Sequence, residues 1–374
     1  MMKSVGILTM HRVINYGSVL QAYATQEIVE KLGYKAIVID YVFPNNYHIE
    51  QKSNSFRSLL SKIYHRLFPT TNDKKTNRII QFIEKHLHLS PNKYQSPEKL
   101  KINTPTYDIY LVGSDQIWNP IHMKGDGTFL LNFITESKPK ISFSSSFAIR
   151  KIPDGYIDHY KSSLEKFNHI SVRENNGKKL IKELIGKDVL VTLDPTLMLE
   201  AKEWGKLANI EPNKFINQKY ILLYALNYAF NPEPYIYDLL FKLQERTGLK
   251  IYSFTKLPKF YISKSVEYVI DSSPIEFLQA FENASYVVTS SFHGTAFAVN
   301  FGIPLYSIVA EESSHDDRQV SLLGTLGITN CLIKKNSLIK NPEEVMYDKE
   351  MVKRKLNELR KHSMSYLSEA LTNF

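Results

Sequence analysis

Short runs of consecutive apolar residues recur along this chain, each closed by small, polar or glycine residues and followed by a longer stretch of helical period. The first run, 5–9, is followed by a helical pattern over 18–32 that stops at Gly33, a residue suited to the left-handed turn after a helix. Runs at 36–40, 107–112, 141–147, 169–172 and 189–191 continue the series as buried strands. A strand, helix, strand order with short connections makes neighbouring strands parallel and the sheet doubly wound. Between 200 and 219 the text turns polar and irregular, with Pro212, Asn213, Asn217 and Gln218, and a second series starts at Tyr220. Its strands are expected at 220–226, 250–254, 267–270, 285–289 and 305–309.

The expected fold is therefore α/β, with two Rossmann-like doubly wound domains facing a cleft, one over 1–205 and one over 215–345. The stretch 346–374 places Met351, Leu356, Leu359, Leu367 and Leu371 at largely helical spacing and reads as a surface-packing helix, open to a return onto the first domain. Around 50–90 lies a basic helical insertion, in which Phe56, Leu59, Leu60, Ile63, Tyr64 and Leu67 make an apolar face beside Arg57, Lys62 and Arg66. Packing on its own domain is the first reading of that face and contact with a membrane surface the second. No repeat of solenoid period and no low-complexity tract interrupts the pattern.

Composition narrows the partners. The 374 residues are 43% hydrophobic, enough for substantial cores, and 47 Lys and Arg against 38 Asp and Glu give a net charge of +9. That balance favours anionic partners. The basic residues are scattered and form no nucleic-acid module, so no nucleic acid is expected. One cysteine, Cys331, excludes an internal disulfide framework and a multi-cysteine metal site. The first residues run straight into a strand without the apolar core of a secretory signal, and no run reaches the length of a membrane span. A cytoplasmic location is expected, with peripheral contact at the inner face of the membrane left open.

The chemistry should lie where strand carboxyl ends meet helix amino termini, because unpaired N–H groups and the helix dipole converge there. The stretch 285–300 is the clearest instance: an apolar strand breaks into Ser290-Ser-Phe-His-Gly294 and Thr295 before a helix opens. His293 is the best single candidate, since an imidazole exchanges protons near neutrality at an unperturbed value of about 6.5. The first loop, 9–18, offers Asn15, Gly17 for close backbone approach and Ser18 as an expected N-cap, with His11 read equally as a solvated loop residue. It lacks both the dinucleotide and the Walker spacing. A third loop carries Gly113, Ser114, Asp115, Gln116, Trp118 and Asn119, and polar groups beside an indole suit a sugar. The alternative is a capped loop with Trp118 in the core. Arg173, in Ser171-Val-Arg-Glu174, suits a carboxylate or phosphate, or else a structural salt bridge. Asp194-Pro-Thr196 reads as a turn and linker anchor. Arg318 could add positive charge from the next loop, whereas His315 and Asp316 fall short of a metal-ligand set.

Taken together, Asn15-Tyr-Gly-Ser18 with Leu20-Gln-Ala-Tyr23, Val112-Gly-Ser-Asp-Gln-Ile-Trp-Asn119, Ser171-Val-Arg-Glu174, Asp194-Pro-Thr196 and Ser290-Ser-Phe-His-Gly294 resemble the polysaccharide pyruvyl transferase family. The likeness runs from about Gly6 to Gly327, carried by the order and spacing of the motifs more than by any one of them. It implies a GT-B-like architecture and a ketal-forming transferase of exopolysaccharide or capsule biosynthesis. Pyruvate would pass from phosphoenolpyruvate, as co-substrate, to hydroxyls of a hexose in a glycan or lipid-linked precursor, without a metal or cofactor. Many members carry an arginine where this chain has Ser291, so either Arg318, Arg173 or Arg12 supplies that charge or the donor or acceptor is altered. On this reading His293 and Asp115 are catalytic. Arg173, Arg318, Ser290, Ser291, Gly294, Thr295, Gly17 and Ser18 bind the donor, and Asn15, Gln116, Trp118 and Asn119 the acceptor. A GT-B glycosyltransferase using a nucleotide sugar, and a non-catalytic sugar- or anion-binding protein, are the competing readings.

Overall fold

A computed structural model describes residues 2–43, 70–261, 265–310 and 317–374. The chain divides into two compact units, Met1–Pro195 with Ser363–Phe374, and Thr196–His362. The division comes after Pro195, ahead of the polar 200–219 stretch where the sequence placed it. The reason is the helix Ala201–Ala208, which belongs to the second unit and packs Trp204 against Phe297 at 5.3 Å between ring centroids.

The first unit holds a seven-stranded sheet in the order β3-β2-β1-β4-β5-β6-β7. Its strands are β1 (Ser4–Leu8), β2 (Lys35–Tyr41), β3 (Leu89–Tyr94), β4 (Ile109–Val112), β5 (Lys140–Ser145), β6 (His169–Val172) and β7 (Leu190–Val191), all paired parallel. Central strands read as unbroken apolar runs because helices cover both faces of a parallel sheet, and β4 is buried along its whole length. Between β1 and β2 runs the helix Tyr16–Lys31, buried almost all round. Gly33 takes the left-handed turn that follows it, at φ 86°. β3 was not expected: its Pro91, Asn92 and Lys93 are exposed on an edge strand, so it shows no apolar alternation. The apolar face expected at 56–67 lies outside the described residues, and the helix that follows is Thr71–His86.

The second unit repeats the plan with six strands in the order β10-β9-β8-β11-β12-β13, again all parallel. They are β8 (Tyr220–Tyr224), β9 (Lys250–Ser253), β10 (Val266–Tyr268), β11 (Tyr286–Thr289), β12 (Leu305–Val309) and β13 (Leu332–Lys334), the last too short to have stood out in the sequence. Tyr224, Phe254, Phe277, Phe281 and Phe297 form an aromatic core, with centroids 4.7–6.4 Å apart. The last helix, Lys349–Thr372, carries residues of both units. Within the first unit, Tyr366 stacks on Phe143 and its hydroxyl donates to the Ser142 carbonyl at 2.8 Å.

Each sheet has one point where the strand order reverses: between β1 and β4 in the first unit, and between β8 and β11 in the second. At such a point neighbouring connections leave in opposite directions, which opens a crevice at the strand carboxyl ends. All but two of the candidate residues follow β1, β4, β8 or β11. Arg173 and Arg318 follow β6 and β12 instead.

Candidate functional site

In the first unit, β4 ends at Val112 and the chain turns sharply through Gly113 (φ 128°), with a cis peptide bond to Ser114. A Cβ at Gly113 would overlap the Phe143 carbonyl oxygen, so only glycine fits. Asp115 then takes a left-handed backbone (φ 75°), a conformation kept by a residue with a Cβ only where its surroundings over-determine it. Those surroundings are named side chains. The Ser18 hydroxyl donates to Asp115 Oδ2 at 2.5 Å, and the Gln116 N–H donates to Oδ1 at 2.8 Å. Arg173 Nη2 stands 3.8 Å from Oδ1. Gln21 ties the β1 loop to the β4 loop, accepting from the Ser114 N–H at 2.9 Å and donating to the Thr9 hydroxyl at 2.6 Å.

A second polar cluster joins the loop after β1 to the penultimate residue of β2, Asp40. Arg12 holds Asp40 with two charge-assisted bonds of 2.7 Å, and His11 Nε2 lies 3.2 Å from the same carboxylate. Burial acts to raise the Asp40 carboxyl, but the hydrogen bonds and charges of His11 and Arg12 outweigh it and hold it well below the usual carboxylate range. His11 is thus a buried partner of Asp40, not a solvated loop residue, and Arg12 is spent on an acid of its own unit.

Several sequence assignments in this unit change. Trp118 does not present a face to a sugar: it is 0% exposed, donates its indole N–H to the Phe129 carbonyl at 3.0 Å, and packs on Phe147 and Phe167. Asn119 caps the short helix Pro120–Met123, its Oδ1 accepting from the N–H groups of Ile121 and His122. The N-cap of Tyr16–Lys31 is Asn15 and not Ser18, and Asn15 Oδ1 accepts from the N–H groups of Gly17 and Ser18. Those two N–H groups are therefore engaged by Asn15 and are not left to cradle the donor. Arg173 is buried, with Nη1 bonded to Asp194 at 2.6 Å, so its charge is already balanced within the unit. Asp194, read from sequence as a turn anchor, holds Arg173 and also accepts from the Ser114 hydroxyl at 3.0 Å. Asp40 is the residue the sequence passed over, whereas Gln21 entered only as part of a motif and Asp194 only as a turn anchor. An acid closing the second strand of a Rossmann unit is the one signal that could have raised Asp40.

In the second unit, β11 ends at Thr289 and the helix Phe292–Asn300 opens three residues on. Ser290 clamps the two loops of the reversal point: its hydroxyl donates to the Leu226 carbonyl at 2.7 Å and accepts from the Leu226 N–H at 2.8 Å. Ser291 is the N-cap, accepting from the Gly294 N–H. A Cβ at Gly294 would overlap the Thr289 hydroxyl, so glycine allows the helix to sit tight on its strand. Thr295 bonds Ser307 of β12 at 2.7 Å. Ser290, Ser291, Gly294 and Thr295, expected to bind the donor, therefore build the turn.

What the turn presents is the start of a helix, His293 and a cation. His293 is 5% exposed and edge-on to Phe292, with centroids 5.3 Å apart. Arg318 begins the helix Arg318–Leu326 and places its guanidinium over the Phe292 ring, 5.7 Å from the centroid. Phe292 separates Ser291 from His293, so the charge absent at Ser291 returns one residue away from another loop. His315 and Asp316 lie outside the described residues.

Two parallel doubly wound units, each with polar loops at its reversal point, define an α/β fold of the GT-B class. Solved structures share it at low identity. A Methanocaldococcus jannaschii UDP-GlcNAc 2-epimerase in complex with UDP-GlcNAc and UDP matches at 15% identity, covering 100% of each chain, with a TM-score of 0.53. An S. aureus MnaA–UDP structure matches at 14% identity over 98% of this chain and 91% of that one, with a TM-score of 0.51. A Rickettsia bellii UDP-N-acetylglucosamine 2-epimerase matches at 11% identity over 98% of each, with a TM-score of 0.50. No curated protein sequence matches the chain. The family model of polysaccharide pyruvyl transferases matches residues 15–311, and the chain belongs to that family. Among the described residues no helix is long and apolar enough to cross a membrane.

Proposed function

We propose that this protein transfers pyruvate from phosphoenolpyruvate to two hydroxyls of a hexose, in a glycan or lipid-linked precursor, as a ketal. The observation that carries the reading is the gathering of His293, a helix amino terminus and Arg318 at the second unit's reversal point. A donor bearing both phosphate and carboxylate needs such positive potential, and the enol needs a proton.

In this reading His293 gives a proton to the methylene carbon of phosphoenolpyruvate, and oxocarbenium character develops on the neighbouring carbon. An acceptor hydroxyl attacks there and passes its proton to Asp115. Phosphate leaves, its negative charge met by Arg318 and the helix amino terminus. A second hydroxyl then adds to the same carbon and gives its proton to the imidazole of His293, closing the ketal and restoring the acid, and Asp115 releases its proton to solvent. The first unit's roles follow from its chemistry: carboxylate, hydroxyl and amide groups of Asp115, Ser18 and Gln116 suit neutral hydroxyls. Arg173, balanced by Asp194, is moved from the donor set to the support of Asp115.

The test is phosphate release from phosphoenolpyruvate with a panel of hexose glycosides, read together with mass spectrometry of the product. Acceptor-dependent release with a pyruvate ketal is expected. Affinity for a nucleotide sugar and none for phosphoenolpyruvate would replace the reading with a glycosyltransferase.

A further inference from the structure

In the second unit a cavity of about 390 Å³ opens beside the last helix, away from the reversal point. Every residue that lines it belongs to that unit. The helix Phe292–Asn300 starts past the carboxyl end of β11 and carries the chain back before β12 begins, so Asn300 stands about 10 Å along the helix axis from His293, toward the opposite edge of the sheet. There Gly302 takes a left-handed turn at φ 69°, and a Cβ added to it would stand 3.8 Å from Lys349 Cδ. The walls are fixed by hydrogen bonds before any ligand arrives. Arg360 Nε donates to the Leu197 carbonyl at 2.7 Å, Nη1 to Asn357 Oδ1 at 2.7 Å and Nη2 to Asn300 Oδ1 at 2.9 Å. Asn300 in turn donates to the carbonyls of Thr196 and Leu199, just ahead of the helix Ala201–Ala208. The Tyr347 hydroxyl donates to the Ile303 carbonyl at 3.0 Å.

Three kinds of group face this space. Lys349 and Lys353 are exposed, one helical turn apart, and among the described residues neither forms an ion pair. Like charges at that spacing repel, and an anion between them relieves the repulsion. Glu350 lies on the same rim and is likewise without an ion pair among the described residues. The other charges are committed: Lys202 pairs with Glu200 at 3.3 Å, and Glu200 and Glu203 face Arg360. Between the charges the lining is apolar, from Val299, Phe301, Val352 and Leu356. We infer that this cavity is a second ligand site, separate from the reversal point, and that it takes a phosphorylated sugar. The phosphate lies between Lys349 and Lys353, hydroxyls donate to Glu350, and the C–H face of the ring covers the apolar floor. Lysines alone would suit any anion. A carboxylate in the same cavity repels a bare anion and favours one that also brings hydroxyl donors.

The test is calorimetric titration of glucose 1-phosphate, glucose and inorganic phosphate into the full chain. Glucose 1-phosphate should bind the wild type more tightly than either of its parts. The double variant Lys349→Gln, Lys353→Gln should bind it at least about 10-fold more weakly, the worth of one hydrogen bond to a charged group, at an unchanged melting temperature because both side chains are exposed. Glu350→Ala should weaken glucose 1-phosphate about 10-fold and leave inorganic phosphate no weaker, since only the sugar uses the carboxylate. Arg318→Gln, at the reversal point, should bind it as the wild type does. Three results overturn the inference: no binding of glucose 1-phosphate by the wild type, equal affinity in the double lysine variant, or a loss in Arg318→Gln instead. Inorganic phosphate binding as tightly as glucose 1-phosphate overturns the sugar part of it. The inference does not rest on pyruvyl transfer. Binding of this pattern by a wild type that releases no phosphate from phosphoenolpyruvate would support the cavity's role and overturn only the transfer reading.

Discussion

The two reversal points share a strand order and differ in what they expose. In the first unit the β1 and β4 loops are knitted by side chains, Ser18 to Asp115 and Gln21 to Ser114, and every nearby arginine is matched to an acid. In the second unit the loops are clamped by a small hydroxyl on backbone, Ser290 on Leu226, and the cation beside the turn lies over an aromatic ring. One scaffold used twice therefore closes its two reversal points differently, one with paired side chains and one with a hydroxyl on backbone beside a cation–ring contact.

The largest effect that would break this comparison is at His293. His293→Ala should lower ketal formation by about 10²- to 10⁴-fold, the usual worth of a placed acid or base, with an unchanged melting temperature. Near-normal turnover would remove proton chemistry from the second unit. A smaller effect sharpens the first unit's side. Trp118→Phe should cost about 1–3 kcal/mol of stability, since the Phe129 carbonyl loses its buried donor. The acceptor KM should not move; a raised KM at unchanged stability would return the ring to the acceptor site. The smallest effect concerns the matched charges of the first unit. Because Asp40 is held below its unfolded value, about 3.9, its contribution is fully present above that value and lost as pH falls through the folded one. The melting-temperature gap between wild type and Asp40→Asn should thus stay constant from neutral pH to about pH 4 and narrow below it. A gap that widens below pH 4 would contradict the Arg12 and His11 pairing.

The strand ends were legible in the sequence because they are a local property: an apolar run ending in small polar residues before a helix marks a strand's carboxyl end, as at 285–295 and 107–119. What each residue does there was not, because it depends on distant partners. Trp118 is buried by Phe129, Phe147 and Phe167, and Arg173 is neutralised by Asp194; neither pairing leaves a mark in the spacing of one motif. Ser18 and Asn15 both suit an N-cap, and only the backbone decides that the helix opens at Tyr16. β3 escaped for a physical reason as well: an edge strand with Pro91 need not be apolar.

The division of labour between the units is tested most directly by titrating phosphoenolpyruvate into the wild type, Arg318→Gln and Asp115→Asn by calorimetry. The account predicts equal affinity in the wild type and Asp115→Asn, and a loss of about 10- to 100-fold in Arg318→Gln, the worth of a hydrogen bond to a charged group. Full affinity in Arg318→Gln with binding lost in Asp115→Asn would place the donor in the first unit and contradict it.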